Sequence, residues 1–164
     1  MEQLKKWRRD LHQIPELGLQ EFQTATYIRR ELEKMGYQWE AVVETGTIVY
    51  IDYHQSTTIA FRSDIDALAI QEKNHIDFAS KIPGMMHACG HDGHMSALLG
   101  FARRLKENHS SLSCNVLLVF QPAEESPGAA AQVVESGVFE KYNVKAIFGM
   151  HLMPFIEEGV IACK

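Results

Sequence analysis

Val116-Leu-Leu-Val-Phe120, followed at once by Gln121-Pro-Ala-Glu-Glu125, is the stretch that decides the fold. The apolar run is unbroken by the alternation of a half-solvated strand. It therefore reads as a strand buried on both faces, the pattern of a sheet covered on two sides. The residues after it form a turn that carries two adjacent carboxylates. The same arrangement, an apolar run and then a polar exit, recurs outward along the chain. Thr58 to Phe61 leads into Arg62-Ser-Asp64-Ile-Asp66, and Val144 to Met150, a second expected buried strand, leads into His151.

The segments between these runs have helical spacing. Asp92 to Lys106 places Met95, Leu98, Leu99, Ala102 and Leu105 on one face. Near the start, Leu4, Trp7, Leu11 and Ile14 lie on one helical face, and Pro15 stops the run. Phe22, Ala25, Ile28, Leu32 and Met35 make a second apolar face, closed by Gly36. Val42-Val43 and Thr47 to Tyr53 read as short strands, and Ala129 to Ser136 as a short helix closed by Gly137. Strands alternating with helices predict an α/β domain in three layers around a mostly parallel mixed sheet.

Composition narrows the function. The 164 residues carry 46% hydrophobic residues, enough for one core and too many for a disordered chain. Lys and Arg number 16 against 21 Asp and Glu, so the net charge of −5 argues against nucleic acid or a membrane surface as partner. No run approaches the ~20 apolar residues of a membrane helix, and no secretory signal precedes the first helix. Cys89, Cys114 and Cys163 are an odd, widely spaced set, which points to a reducing, cytoplasmic setting. Cys114 and Cys163 read as core or near-core residues. The closing Glu158 to Lys164 reads as a strand just beginning, so the chain is expected to be the N-terminal part of a longer catalytic domain.

Four polar clusters fall at predicted strand or loop exits, where α/β proteins place their sites. His87-Ala-Cys89-Gly-His91-Asp92-Gly-His94 mixes thiolate and imidazole donors, a set zinc accepts. Gly90 and Gly93 allow a tight backbone that turns Cys89 and His91 toward one point, with His87 and His94 the weaker candidates. The simpler reading is a helix start with Asp92 as its N-cap. Glu124-Glu125 alone reads as a solvated turn. Beside a divalent cation, one carboxylate can ligate while its neighbour takes a proton from activated water. Asp64 and Asp66, two apart, can support a ligand histidine or form an Asp-rich turn. His151 alone is a strand-end histidine. His12, His54, His75 and His109 suggest no site by spacing. Together the clusters supply donors for two metal ions and leave a glutamate as base, the equipment for metal-assisted hydrolysis of an amide or ester.

Four stretches in this order, Arg8-Arg-Asp-Leu-His-Gln-Ile-Pro-Glu16-Leu-Gly, Arg62-Ser-Asp-Ile-Asp-Ala-Leu68, Met86-His-Ala-Cys-Gly-His-Asp-Gly-His94 and Gln121-Pro-Ala-Glu-Glu125, carry a resemblance. The chain resembles the metal-dependent amidohydrolases of the aminoacylase and carboxypeptidase family, in the branch of hippurate hydrolases and auxin-conjugate hydrolases. Ile14 to Phe22 and Gly159 to Lys164 look most like the bacterial N-acetyldiaminopimelate deacetylases. The resemblance implies that Cys89, His91, Glu125 and His151 ligate two divalent ions, with zinc first and manganese, cobalt or nickel compatible. It implies Glu124 as general base, with Asp64 and Asp66 in the motif that supports the metal centre. It further implies an N-acyl amino acid substrate, deacetylation of N-acetyl-L,L-diaminopimelate in lysine biosynthesis, a homodimer formed through a further domain, and a last histidine ligand beyond Lys164. Alternatives are another N-acyl-amino-acid hydrolase, a dipeptidase, a non-catalytic metal-binding homologue, or an enzyme with Cys89 as nucleophile. One departure stands out. Ser126 and Ala129 occupy a loop where the family has glycines, which puts the fit of substrate there in question.

Overall fold

In the computed structural model, residues 1–108 and 112–162 are described. Two helices come first, α1 (Glu2–His12) and α2 (Phe22–Lys34), then three strands, β1 (Glu40–Val42), β2 (Gly46–Ile51) and β3 (Thr58–Asp64). The long helix α3 (His91–Glu107) follows, then β4 (Asn115–Gln121), the short helices α4 (Ala130–Glu135) and α5 (Val138–Lys141), and β5 (Val144–Gly149). The sheet runs in the order β1-β2-β4-β3-β5. β3 lies parallel to both β4 and β5, whereas β2 is antiparallel to β1 and β4. The sheet is thus mixed as expected, with its parallel pairings gathered in the half that bears the polar exits.

β4 occupies the centre, and all seven of its residues are buried. Its side chains alternate between two cores, as a strand's must. Val116, Leu118 and Phe120 join Trp7, Leu11, Ile28, Leu32 and Leu99 from α1, α2 and α3. Leu117 and Val119 face the other way, against Val133 of α4 and Val138 of α5. That double duty is why the run has no polar position, and it gives the three-layer α/β architecture. Each such aliphatic side chain contributes about 1.5–3 kcal/mol by leaving water.

Several expectations need correction. β3 does not stop at Phe61 but carries pairing through Asp64, so Arg62 to Asp64 belong to the strand and not to its exit. Val43, at φ 42°, turns the chain between β1 and β2 instead of extending β1. Phe22 is 61% exposed: as the first residue of α2 it has no preceding turn for its side chain to cover. β5 is not buried on both faces. Among the described residues it pairs with β3 alone, at the edge of the sheet, and Ile147 and Phe148 are 47% and 57% exposed. Residues 158–162 form no strand, and Cys163, like His109, lies outside the described residues. Cys114 is half-buried just before β4. Among the described residues no helix is long and apolar enough to cross a membrane.

Candidate metal centre

The ends of β3, β4 and β5 and the start of α3 meet at one side of the parallel half-sheet. Parallel strands end on the same side, so residues far apart in sequence arrive together. Gly90, at φ 87°, caps α3 in a left-handed conformation that suits glycine. It turns the chain so that Cys89 precedes the helix and His91 begins it. Asp92 is therefore not the N-cap. It is buried in the first turn, where its Oδ2 accepts from Arg8 Nε at 2.8 Å and lies 2.9 Å from His12 Nδ1.

His91 is 1% exposed. Its Nδ1 lies 2.9 Å from the backbone oxygen of Asp66, and 3.4 Å from Asp66 Oδ1. A carbonyl oxygen can only accept, so Nδ1 carries a proton, and in the neutral ring Nε2 then presents the lone pair. That Nε2 is buried, has no hydrogen-bond partner among the described residues, and lies 3.9 Å from Glu125 Oε1. Cys89 Sγ lies 3.2 Å from His151 Nε2. Two groups of donor atoms, Cys89/His91/His151 and His91/Glu124/Glu125, each lie mutually within 4.8 Å. They share His91. An orphaned imidazole nitrogen beside a thiol, a second imidazole and two carboxylates fits divalent cations, and zinc takes all three donor types.

Asp66 and Asp64 differ in role. Burial pushes the Asp66 carboxyl up, but the His91 ring and the backbone N–H groups of Glu125 and Glu124 outweigh it and hold it below the usual range. The Glu125 N–H donates to Asp66 Oδ2 at 3.0 Å. Asp64 instead accepts from Arg62 Nε at 2.8 Å, and burial raises its carboxyl. Burial, together with Glu125 and the neighbouring carboxylates Glu124 and Asp64, pushes the Cys89 thiol up to about 12. His94, which burial pushes down to about 4, accepts from the backbone N–H of Leu152 at 2.9 Å and so holds the segment that carries His151. His87 is buried, and neither ring nitrogen has a hydrogen-bond partner among the described residues.

Sequence reasoning missed His12. It is 2% exposed and bridges Asp92 to Glu72 Oε1, which lies 3.2 Å from its Nε2. Its partners are 80 and 60 residues away, so spacing carries no trace of them. In the loop after Glu125, Ala129 has φ −106°, Ser126 also lacks a positive φ, and the left-handed residue is Gly128. The backbone thus makes no demand for glycine at 126 or 129.

The pattern of peptidase family M20/M25/M40 matches residues 60–164, which hold every residue of this cluster. The chain belongs to that family. An uncharacterised hydrolase of Staphylococcus haemolyticus is 46% identical over 166 aligned residues, spanning 100% of this chain and 43% of that protein. The YXEP protein of Bacillus subtilis, described as a dinuclear metal-binding M20 peptidase, superposes with a TM-score of 0.86 at 45% identity, over 93% of this chain and 43% of that one. An aminobenzoyl-glutamate utilization protein from Klebsiella pneumoniae gives a TM-score of 0.72 at 26% identity, over 92% and 43%. The chain therefore spans less than half the length of each of these three proteins.

Proposed function

We propose that the protein hydrolyses the amide bond of an N-acyl amino acid with two divalent metal ions. The observation that carries this reading is the pair of donor groups joined at His91. Cys89, His91 and His151 would hold one ion, and His91's neighbours Glu124 and Glu125 lie where a second can be held through Glu125. A dinuclear metal-binding relative, the YXEP protein, supports the count of two. The ions would polarise the scissile carbonyl and make water more acidic.

The remaining work falls to the chain. Glu124 is exposed beside Glu125, free to accept a proton from the attacking water and return it to the leaving amine. Asp66 orients His91 and increases its basicity as a ligand. Cys89 as an acyl nucleophile is the weaker reading. A thiol pushed up to about 12 is protonated at neutral pH, and only a cation nearby would reverse that.

The amide preference draws support from the Klebsiella neighbour, whose name refers to aminobenzoyl-glutamate, itself an N-acyl amino acid. The resemblance read from the sequence at Ile14 to Phe22 and Gly159 to Lys164 makes N-acetyl-L,L-diaminopimelate the first substrate to try. The test is acid release by the full-length, metal-loaded protein, with that compound offered beside hippurate and simple N-acetyl amino acids. Preference for the first places the protein in diaminopimelate and lysine synthesis. Preference for another keeps the amidohydrolase and discards that pathway. Release from none of them, with dipeptides cleaved, replaces the reading with a dipeptidase.

A further inference from the structure

We propose that Glu21 is a positioning residue that sets the backbone carrying Glu124 and Glu125; the inference rests on the roles given to that pair above. Glu21 lies at the start of α2, far from the metal donors in sequence, and is fully buried. Its Oε1 accepts the backbone N–H of Ala123 at 2.8 Å, and its Oε2 accepts from Thr45 Oγ1 at 2.5 Å. Both partners are neutral. A buried carboxylate without a cation is costly, and packing alone would be served by an apolar side chain. What the carboxylate supplies is an acceptor for backbone N–H groups: those of Glu21 and Leu19 bear on it locally, and that of Ala123 reaches it from across the fold.

The Ala123 N–H belongs to the residue immediately before the proposed base. Ala123 has φ 47°, a conformation that a residue with a Cβ adopts uncommonly and that needs its surroundings to hold it. The segment leading to Glu21 helps do so. A Cβ added to Gly18 would collide with Ser126 O and Ala123 Cβ, so the two backbones are in close contact there. From the other side, Asp66 Oδ2 accepts the N–H of Glu125. Two buried carboxylates thus grip the amides at 123 and 125, with Glu124 between them. Because Glu124 is exposed and the Glu125 side chain is only part-buried, their backbone carries much of their placement.

The experiment compares Glu21→Met and Glu21→Gln in the full-length, metal-loaded protein. Three readouts are used: amide hydrogen exchange at Ala123 against Leu118, metal affinity by chelator competition, and kcat and KM separately. Glu21→Met is expected to lose protection at Ala123 while Leu118 keeps it. Metal affinity should fall roughly 10–100-fold. The kcat should fall about 100-fold, with KM little changed, as for a misplaced catalytic group. Glu21→Gln keeps an oxygen for the Ala123 N–H and an amide for the Thr45 oxygen, so it should restore all three. Parent-like kcat and metal affinity in Glu21→Met overturn the proposal. So does a Glu21→Gln variant that protects Ala123 yet is as impaired as Glu21→Met. If Glu21→Met does not fold, Gly18→Ala perturbs the same Ala123 backbone, and unchanged kcat and affinity there overturn it equally. Glu124→Gln is run alongside. If it is fully active, the proposed function itself fails; if it is inactive while Glu21→Met is parent-like, only the positioning role fails.

Discussion

His91 donates through Nδ1 to the backbone oxygen of Asp66 at 2.9 Å, and this hydrogen bond makes Nε2, buried and 3.9 Å from Glu125 Oε1, the nitrogen that carries the lone pair in the neutral ring. The tautomer is fixed by a group that cannot donate. In the proposed metal centre that Nε2 is the ligand atom, and Asp66, whose Oδ1 lies 3.4 Å from Nδ1, makes the ring more basic.

Asp66→Asn is expected to weaken metal binding by roughly 10–100-fold, because the carboxylate also accepts the Glu125 N–H. Asp64→Asn should do much less, since Asp64 spends its charge on Arg62. Elemental analysis after graded dialysis against a chelator ranks the two. Equal losses would mean that the contact with His91 carries no special weight.

Glu124→Gln should retain metal and lose turnover by about 100- to 10,000-fold, the usual contribution of a general base. Metal stoichiometry and kcat measured on the same sample separate ligation from proton transfer. A variant that loses metal as well would make Glu124 a ligand.

Cys89→Ala should lower metal content, because the cluster Cys89/His91/His151 loses one of its three donors. In the metal-free protein, Cys89 should alkylate more slowly at about pH 8 than a free thiol, its pKa lying well above the ordinary range. Rapid alkylation of Cys89 in the stripped protein would contradict the burial and the carboxylate surroundings described for it.

Two buried glutamates should respond to pH in opposite senses. At Glu31, burial raises the carboxyl, but hydrogen bonds from Lys34 and Trp7 outweigh it, so the folded pKa lies below the ordinary 4.5. Its stabilisation is present above that ordinary value and is lost as pH falls through the folded one. At Glu21, burial wins over the Thr45 and Ala123 hydrogen bonds and the folded pKa is raised. Its contribution is full below the ordinary value and is lost as pH rises through the folded one. Urea midpoints should show Glu31→Gln destabilised at about pH 7, with the gap closing toward pH 3. Glu21→Gln should gain on the parent as pH rises from about 4 to 7. A common direction for both variants would refute the assignment.

The layered α/β fold was legible in the sequence because apolar period is a local property. Val116 to Phe120 reads as a doubly covered strand from five neighbours alone, and β4 is buried throughout. Cys89, His91, Glu124, Glu125 and His151 were legible as site candidates because each lies near an element boundary and has a chemistry that hydrolysis needs. The boundaries themselves were less legible. Whether Asp64 belonged to a strand depended on Gln121, its partner in β4. Whether β5 was buried depended on what lies beside it in the sheet.

The sequence by itself determined the order of elements and the kinds of donor available at their ends. The tertiary structure alone decided which of two nearby aspartates touches His91, that His12 is locked between Asp92 and Glu72, and that Glu21 reaches the amide before the glutamate pair. These contacts join residues 25 to 102 positions apart. No spacing rule spans such distances, because they are set by how helices stack on a sheet and not by the period of either.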